Sequence, residues 1–235
     1  MNTFRFEKTL TSKGHFDVIV VGGGVAGVAA AVSAARNGVS VLLIEKSVNL
    51  GGLATEGLIS WYEPLCDGKG NQVMSGMVEE LIRLCCKCGF DNLPEKWGGR
   101  GDNAIRNERF STYYSPTLFS LTLDEFIIKN GVTLRFDTLA TYPVMEDGIC
   151  KGVIAESING CEFFEASVVI DATGNASVMH RAGVPTVEGK NYMTYIAHMF
   201  TQEDAKELVE TKKYVNSATG KMQVVICVVK VIRRV

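Results

Sequence analysis

The stretch Asp17–Glu45, DVIVVGGGVAGVAAAVSAARNGVSVLLIE, constrains the fold more than any other part of this 235-residue chain. Asp17–Val21 is a short β-branched run, the pattern of a buried strand. Gly22, Gly24 and Gly27 follow with the spacing G-x-G-x-x-G. The first glycine permits a tight turn, the second lets backbone approach a pyrophosphate, and the third lets a helix press against the strand. Ala26–Asn37 is small and apolar, which predicts that helix, with Gly38 ending it. Its N-terminus, at Val25 and Ala26, offers unpaired N–H groups and a positive dipole end to phosphate oxygens. Val41–Ile44 predicts the second strand. Glu45 closes that strand, placed to accept hydrogen bonds from ribose hydroxyls, with Lys46 beside it. The separation from glycines to acid fits the roughly 20 residues of a dinucleotide-binding βαβ unit. Glu45 would repel a 2′-phosphate, which favours FAD or NAD over NADP.

The rest of the composition narrows the class. At 46% hydrophobic, the chain can bury the core of one large domain or of one and a half. A formal net charge of −2 with interspersed signs gives no support for nucleic-acid binding or polybasic membrane attachment. The N-terminus MNTFRFEKTLTSKGHF lacks the apolar core of a signal peptide, and no apolar run is long enough to span a bilayer. Seven cysteines without a framework spacing point to a reduced, cytoplasmic setting. Cys85, Cys86 and Cys88 form C-C-x-C, but no companion cluster accompanies them and the three histidines are distant in sequence. They read as buried or incidental thiols, and no metal is expected.

After Glu45 the chain runs KSVNLGGLAT from Lys46 to Thr55. This second glycine pair suits a second backbone approach to a cofactor; an ordinary glycine turn is the alternative. Here the sequence resembles the FAD-dependent oxidoreductases of the glutathione-reductase/fumarate-reductase type, and GGLAT resembles their branch with a GG-x-x-T loop. The resemblance implies FAD, with adenosine on the first βαβ unit and Gly51, Gly52, Ala54 and Thr55 lining the cofactor. The cysteine pair of the disulfide-reductase branch is missing, since Leu53–Tyr62 holds no cysteine. The histidine of the covalent-flavin branch is missing from Ser47–Thr55, so a noncovalent flavin is expected.

Around this unit the chain reads as follows. Met1–His15 is a polar, loose arm. Leu58–Tyr114 is an irregular and helical insertion near the flavin; it contains a helix over Ser75–Cys88 and, over Asn92–Asn107, a surface loop or lid. Pro116–Asn130 predicts a helix with Leu118, Leu121, Phe126 and Ile127 in the core, followed by a strand over Val132–Phe136. By resemblance, Thr138 and Leu139 meet the adenine; the alternative is that they are plain strand-end residues. Thr141–Met145, Gly152–Ser157 and Cys161–Val169 form an antiparallel meander, turned at Glu146-Asp147-Gly148 and Asn159-Gly160. It runs into VVIDATGN, which resembles the family's ATG strand and implies that Ala172, Thr173, Gly174 and Asn175 approach the cofactor. Asn175 stands where the family usually carries Asp. A short helix over Ala176–Ala182, a helix over Thr201–Tyr214 and a strand over Met222–Ile232 complete the pattern.

The expected fold class is α/β: a Rossmann-like FAD/NAD(P)-binding domain over 16–185, with a parallel sheet, an inserted antiparallel β-meander and flanking helices. Residues 186–235 would begin an incomplete substrate domain. The resembled family carries a further glycine-rich flavin segment near its C-terminus, and none follows Asn175. The expectation is a fragment, a truncated homologue or half of a two-chain enzyme, with a partner chain or self-association through Met222–Ile232. The function expected is that of an FAD-binding oxidoreductase acting on a small molecule, or of its N-terminal portion. The alternatives are a non-enzymatic adenine-dinucleotide-binding module and an NAD-dependent dehydrogenase. No catalytic acid or base is named by the pattern; Tyr62, Glu63, Arg106, Arg109 and His198 are the polar candidates.

Overall fold

A computed structural model describes residues 3–88, 93–99 and 110–187, together with the backbone of two strands, 194–199 and 224–229. Contacts divide the chain into two units, Met1–Val187 and Glu188–Val235. The first unit is built on β1 (Ser12–Val21), α1 (Val25–Arg36) and β2 (Val41–Ile44), the βαβ unit that the glycine motif predicts. There follow β3 (Trp61–Tyr62), α2 (Met77–Lys87), β4 (Thr112–Tyr113), α3 (Pro116–Lys129) and β5 (Thr133–Arg135). The meander β6 (Leu139–Glu146), β7 (Ile149–Ser157) and β8 (Gly160–Asp171) leads into α4 (Ser177–Arg181). In the second unit β9 (Thr194–Met199) pairs antiparallel with β10 (Val224–Val229).

One six-stranded sheet organises the first unit, in the order β5-β2-β1-β8-β7-β6. β5, β2, β1 and β8 run parallel, and β8, β7 and β6 run antiparallel. The long strand β8 therefore does two jobs. Its first half closes the meander against β7, and from Phe163 to Asp171 it pairs with β1, Val18 to Val168 and Val21 to Asp171. This brings Asp171 and the residues after it to the carboxyl end of β1, where the glycine turn begins. In open α/β sheets that end is where ligands bind.

Alternation along β1 and β2 explains the layers. Val20 and Leu43 face the helices α1, α2 and α3, in a core with Val28, Val32, Leu81, Ile82, Phe119 and Leu123. Ile19, Val21, Leu42 and Ile44 face the other way, against Ala140, Val153, Ala155, Phe164 and Val178. Both faces of the central strands are covered, which is why they read as unbroken apolar runs rather than alternating ones. Each buried aliphatic side chain contributes about 1.5–3 kcal/mol relative to exposure.

Several expectations shift. β1 begins at Ser12, inside the stretch read as an arm, because β8 is long enough to pair with it from Phe163 onward. The helix expected over Ser75–Cys88 spans Met77–Lys87, started by Gly76 at φ +78°. In α3, Leu121 is exposed and Leu118 half-buried; Phe119, Thr122, Leu123 and Ile127 form the inward face instead. Leu118, Phe119, Leu121 and Leu123 lie so close together that their spacing left the phase of that helix open to misreading. Leu93 is buried and Trp97 stacks on Phe110 with ring centroids 4.7 Å apart, so 93–99 packs against the core rather than running over the surface. The remainder of Asn92–Asn107 and the helix expected over Thr201–Tyr214 lie outside the described residues. Of Met222–Ile232, the strand occupies Val224–Val229, and its partner β9 has no counterpart in the sequence reading. Among the described residues no helix is long and apolar enough to cross a membrane, and no group of three His, Cys, Asp or Glu could hold a metal ion.

Candidate functional site

A cavity of about 1030 Å³ opens at the carboxyl ends of β1, β2 and β8. Its size lies at the upper end of the range for small-molecule sites. The floor is the glycine turn. Gly22 sits at φ +100°, and a Cβ there would come within 2.8 Å of the Ala172 carbonyl oxygen, so only glycine lets the turn pass beneath the Ala172 loop. Gly24 is the N-cap of α1 and no side chain caps the helix there. A Cβ on Gly24 would meet no heavy atom within 4 Å: the space beside it is open.

The second glycine pair lies directly on the first. The Gly51 N–H donates to the Gly23 carbonyl at 2.8 Å, and Gly24 and Gly51 form an isolated parallel bridge. Gly51 and Gly52 both have positive φ, +101° and +55°, and a Cβ on Gly52 would reach the Gly24 Cα at 3.3 Å. The two loops thus form one backbone surface beside the N-terminus of α1, with dipole and N–H groups suited to an anion.

The acid at the end of β2 is buried and doubly held. Glu45 Oε2 accepts from the Gly23 N–H at 2.5 Å and Oε1 from the Ser47 N–H at 2.8 Å. A carboxylate has about four acceptor positions, so two remain for ligand hydroxyls at the cavity wall. The Glu45 carbonyl accepts from the Thr138 N–H at 3.1 Å, which ties the start of β6 to the end of β2.

A third loop is clamped by Asp171, a residue that the sequence reading passed over. Oδ1 accepts from the Thr173 N–H at 2.9 Å and the Thr173 hydroxyl at 2.6 Å; Oδ2 accepts from the N–H groups of Val178 and Met179, both at 2.9 Å. Burial pushes the Asp171 carboxyl up, but the bonds from Thr173, Met179 and Val178 outweigh it and hold it below its ordinary value. The same side chain thereby shapes Ala172–Asn175 and caps α4.

At the far side, Tyr114 is buried and its hydroxyl donates to the carbonyls of Ala54 (3.1 Å) and Ile59 (2.7 Å). Tyr62 donates to the Val78 carbonyl at 2.8 Å. Burial, with Cys85 nearby, pushes both phenols well above their usual range, so neither is a base near neutral pH.

Of the residues picked from the sequence, Gly22, Gly24, Val25, Ala26, Glu45, Lys46, Gly51, Gly52, Ala54, Thr138, Leu139, Ala172, Thr173, Gly174 and Asn175 all line this cavity. Gly27 and Thr55 do not. A Cβ on Gly27 would fall 1.8 Å from the Gly22 carbonyl oxygen, so this glycine serves helix–turn packing. Thr55 is buried, and its hydroxyl donates to the Leu50 carbonyl at 2.5 Å, closing the Gly51–Ala54 loop from behind. Tyr62 and Glu63 reach the wall; Arg106 and Arg109 lie outside the described residues, and His198 is on β9 in the other unit. Leu53, Ile59, Trp61, Tyr114, Phe119 and Arg181 also line it, from segments without a readable motif.

Comparison with known proteins decides what this arrangement belongs to. The family model described as FAD dependent oxidoreductase matches residues 17–224. The chain belongs to the FAD dependent oxidoreductase family. The family's cofactor is FAD. Among curated relatives, the digeranylgeranylglycerophospholipid reductase of Methanosarcina acetivorans is 28% identical over 180 residues, covering 74% of this chain and 42% of that protein. The vinyl phenol reductase of Lactiplantibacillus plantarum is 50% identical over 54 residues, or 22% of this chain and 11% of that protein. The chain thus spans less than half the length of the curated relatives it matches. Among solved structures, a geranylgeranyl bacteriochlorophyll reductase-like protein from Thermoplasma acidophilum aligns with a TM-score of 0.53 at 22% identity, over 79% of this chain and 46% of that one. That likeness shows the fold, a Rossmann-like FAD-binding architecture.

Proposed function

We propose that this chain supplies the FAD-binding part of an oxidoreductase that acts on a small molecule, and that the cavity described above is the FAD site. One observation carries the reading: the two glycine loops meet at the N-terminus of α1, with open space beside Gly24 and the buried carboxylate of Glu45 next to them. That surface fits a pyrophosphate followed by a ribose. The N–H groups at Gly24–Ala26 and the backbone of Gly51 and Gly52 would hold the phosphates. Glu45 would accept from the ribose hydroxyls, and Thr138 and Leu139 would meet the base. Leu53–Glu63 and Tyr114 would wall the ring end. FAD supplies hydride or electron chemistry; the protein's share is binding, orientation and electrostatics.

The flavin is held without a covalent bond in this reading, because no His or Cys is among the described residues lining the cavity. Glu45 excludes a 2′-phosphate by charge. The second glycine pair and the meander distinguish the site from that of a simple NAD-dependent dehydrogenase. The absence of cysteine-framework spacing supports a reducing, cytoplasmic setting.

Titration of apo-protein with FAD tests the assignment. ADP, which shares the adenosine and pyrophosphate, is expected to compete with FAD, and FMN, which lacks the adenosine, to compete much less. Failure to bind FAD, or equal competition by FMN and ADP, would overturn it.

A further inference from the structure

Arg181 is a cation on the cavity wall that the site as read so far does not use. It is the last residue of α4 and exposed. Among the described residues it forms no ion pair. Its guanidinium is instead steered by two weak contacts on β6: Nη1 donates to the Ala140 carbonyl at 3.4 Å, and Cζ stands 5.6 Å from the centre of the Tyr142 ring. A charged group with no counter-ion among the described residues, facing a ligand cavity, can meet the ligand.

Its neighbours say which part. Ala140 follows Leu139, and Thr138 is bonded to the Glu45 carbonyl, so Arg181 belongs to the end of the cavity where Glu45 stands. In the FAD reading the phosphates would lie at Gly24 and Gly51. Leu139 lines this same end and is 48% exposed, apolar area that a flat ligand would cover. Guanidinium is planar, delocalised and weakly hydrated, and it stacks on aromatic faces; an ammonium is a compact, strongly hydrated point charge.

We infer that Arg181 caps the adenine base of the dinucleotide, its guanidinium stacking on the ring, with Leu139 as apolar wall at the same end. This rests on the FAD reading of the cavity and assigns it a base-positioning residue from α4. The contact is independent of the flavin ring, so it selects for the adenine half of the ligand.

The test compares wild type, Arg181→Ala and Arg181→Lys by equilibrium titration with FAD and with ADP, each protein checked by circular dichroism. Arg181 is exposed, and loss of its contacts to Ala140 and Tyr142 leaves the buried core intact. Arg181→Ala is expected to weaken FAD and ADP alike by about tenfold, the scale of a partly desolvated cation–π contact. Arg181→Lys is expected to stay closer to Arg181→Ala than to wild type. Unchanged FAD affinity in Arg181→Ala would overturn the inference. Full recovery in Arg181→Lys would also overturn it, by showing that a point charge suffices and that no planar stacking is involved. Failure of the wild type itself to bind FAD would instead overturn the reading of the cavity.

Discussion

Replacing Asp171 by Asn separates the clamp from the fold around it. In the native loop the two carboxylate oxygens receive four donors: the Thr173 N–H and hydroxyl on one, and the Val178 and Met179 N–H groups on the other. An amide can keep one oxygen for Thr173, but its NH₂ then faces two N–H donors at the start of α4. Two charge-assisted bonds at a half-buried site are lost, and the helix loses its cap. Each is worth about 1–1.5 kcal/mol here, so Asp171→Asn is expected to destabilise the protein by about 2–3 kcal/mol at pH 7. The pH dependence follows from the lowered native value. A carboxyl depressed below its unfolded value of 3.8 stabilises fully above that value, and the contribution drains away as pH falls through the lower native value. Urea unfolding of wild type and variant at pH 7 and near pH 3 reads this directly. The gap between them is expected to be widest at pH 7 and to narrow in acid. A gap below about 0.5 kcal/mol at pH 7, or one that does not change with pH, would refute the clamp.

Three further substitutions sort binding from packing. Gly24→Val is expected to abolish FAD binding with an unchanged circular dichroism spectrum, because its side chain would fill the open space beside the α1 N-terminus; a folded variant that still titrates with FAD would show that the glycine only shapes the turn. Gly27→Ala is expected to do the reverse and cost several kcal/mol of stability by the overpacking it forces, since its Cβ would lie 1.8 Å from the Gly22 oxygen; thermal unfolding at the wild-type temperature would contradict that. Glu45→Gln is expected to weaken FAD by about 1–3 kcal/mol, through loss of charge at the ribose and looser hold on the Gly23 and Ser47 N–H groups; an unchanged dissociation constant would remove Glu45 from the site.

The βαβ unit was legible because glycine spacing, strand composition and the closing acid each have a local physical cause and sit within one short stretch. The meander was legible from its two turns. The second glycine pair was legible as a motif, but the backbone bond from Gly51 to Gly23 that fuses the loops is a tertiary fact. Thr55 and Gly27 show the limit: a motif says which residues recur together, and only packing says which face the ligand and which brace those that do. Asp171 escaped notice because capping by a side chain six residues ahead of the helix leaves no local pattern. Tyr114 and Trp61 escaped because Trp61 is on β3 and Tyr114 directly follows β4, two-residue strands that pair although they lie some fifty residues apart in sequence. Leu121 was misplaced because closely spaced apolar residues, Leu118, Phe119, Leu121 and Leu123, do not by themselves fix helical phase.

The visible absorption spectrum of the protein reconstituted with FAD and freed of excess cofactor by gel filtration tests the central claim most directly. The cavity assignment predicts that oxidised-flavin bands elute with the protein in about one-to-one ratio and that all of the flavin passes into the supernatant when the protein is heat-precipitated. Protein that elutes without flavin absorption would contradict the assignment of the cavity to FAD, and flavin retained in the washed precipitate would contradict noncovalent binding.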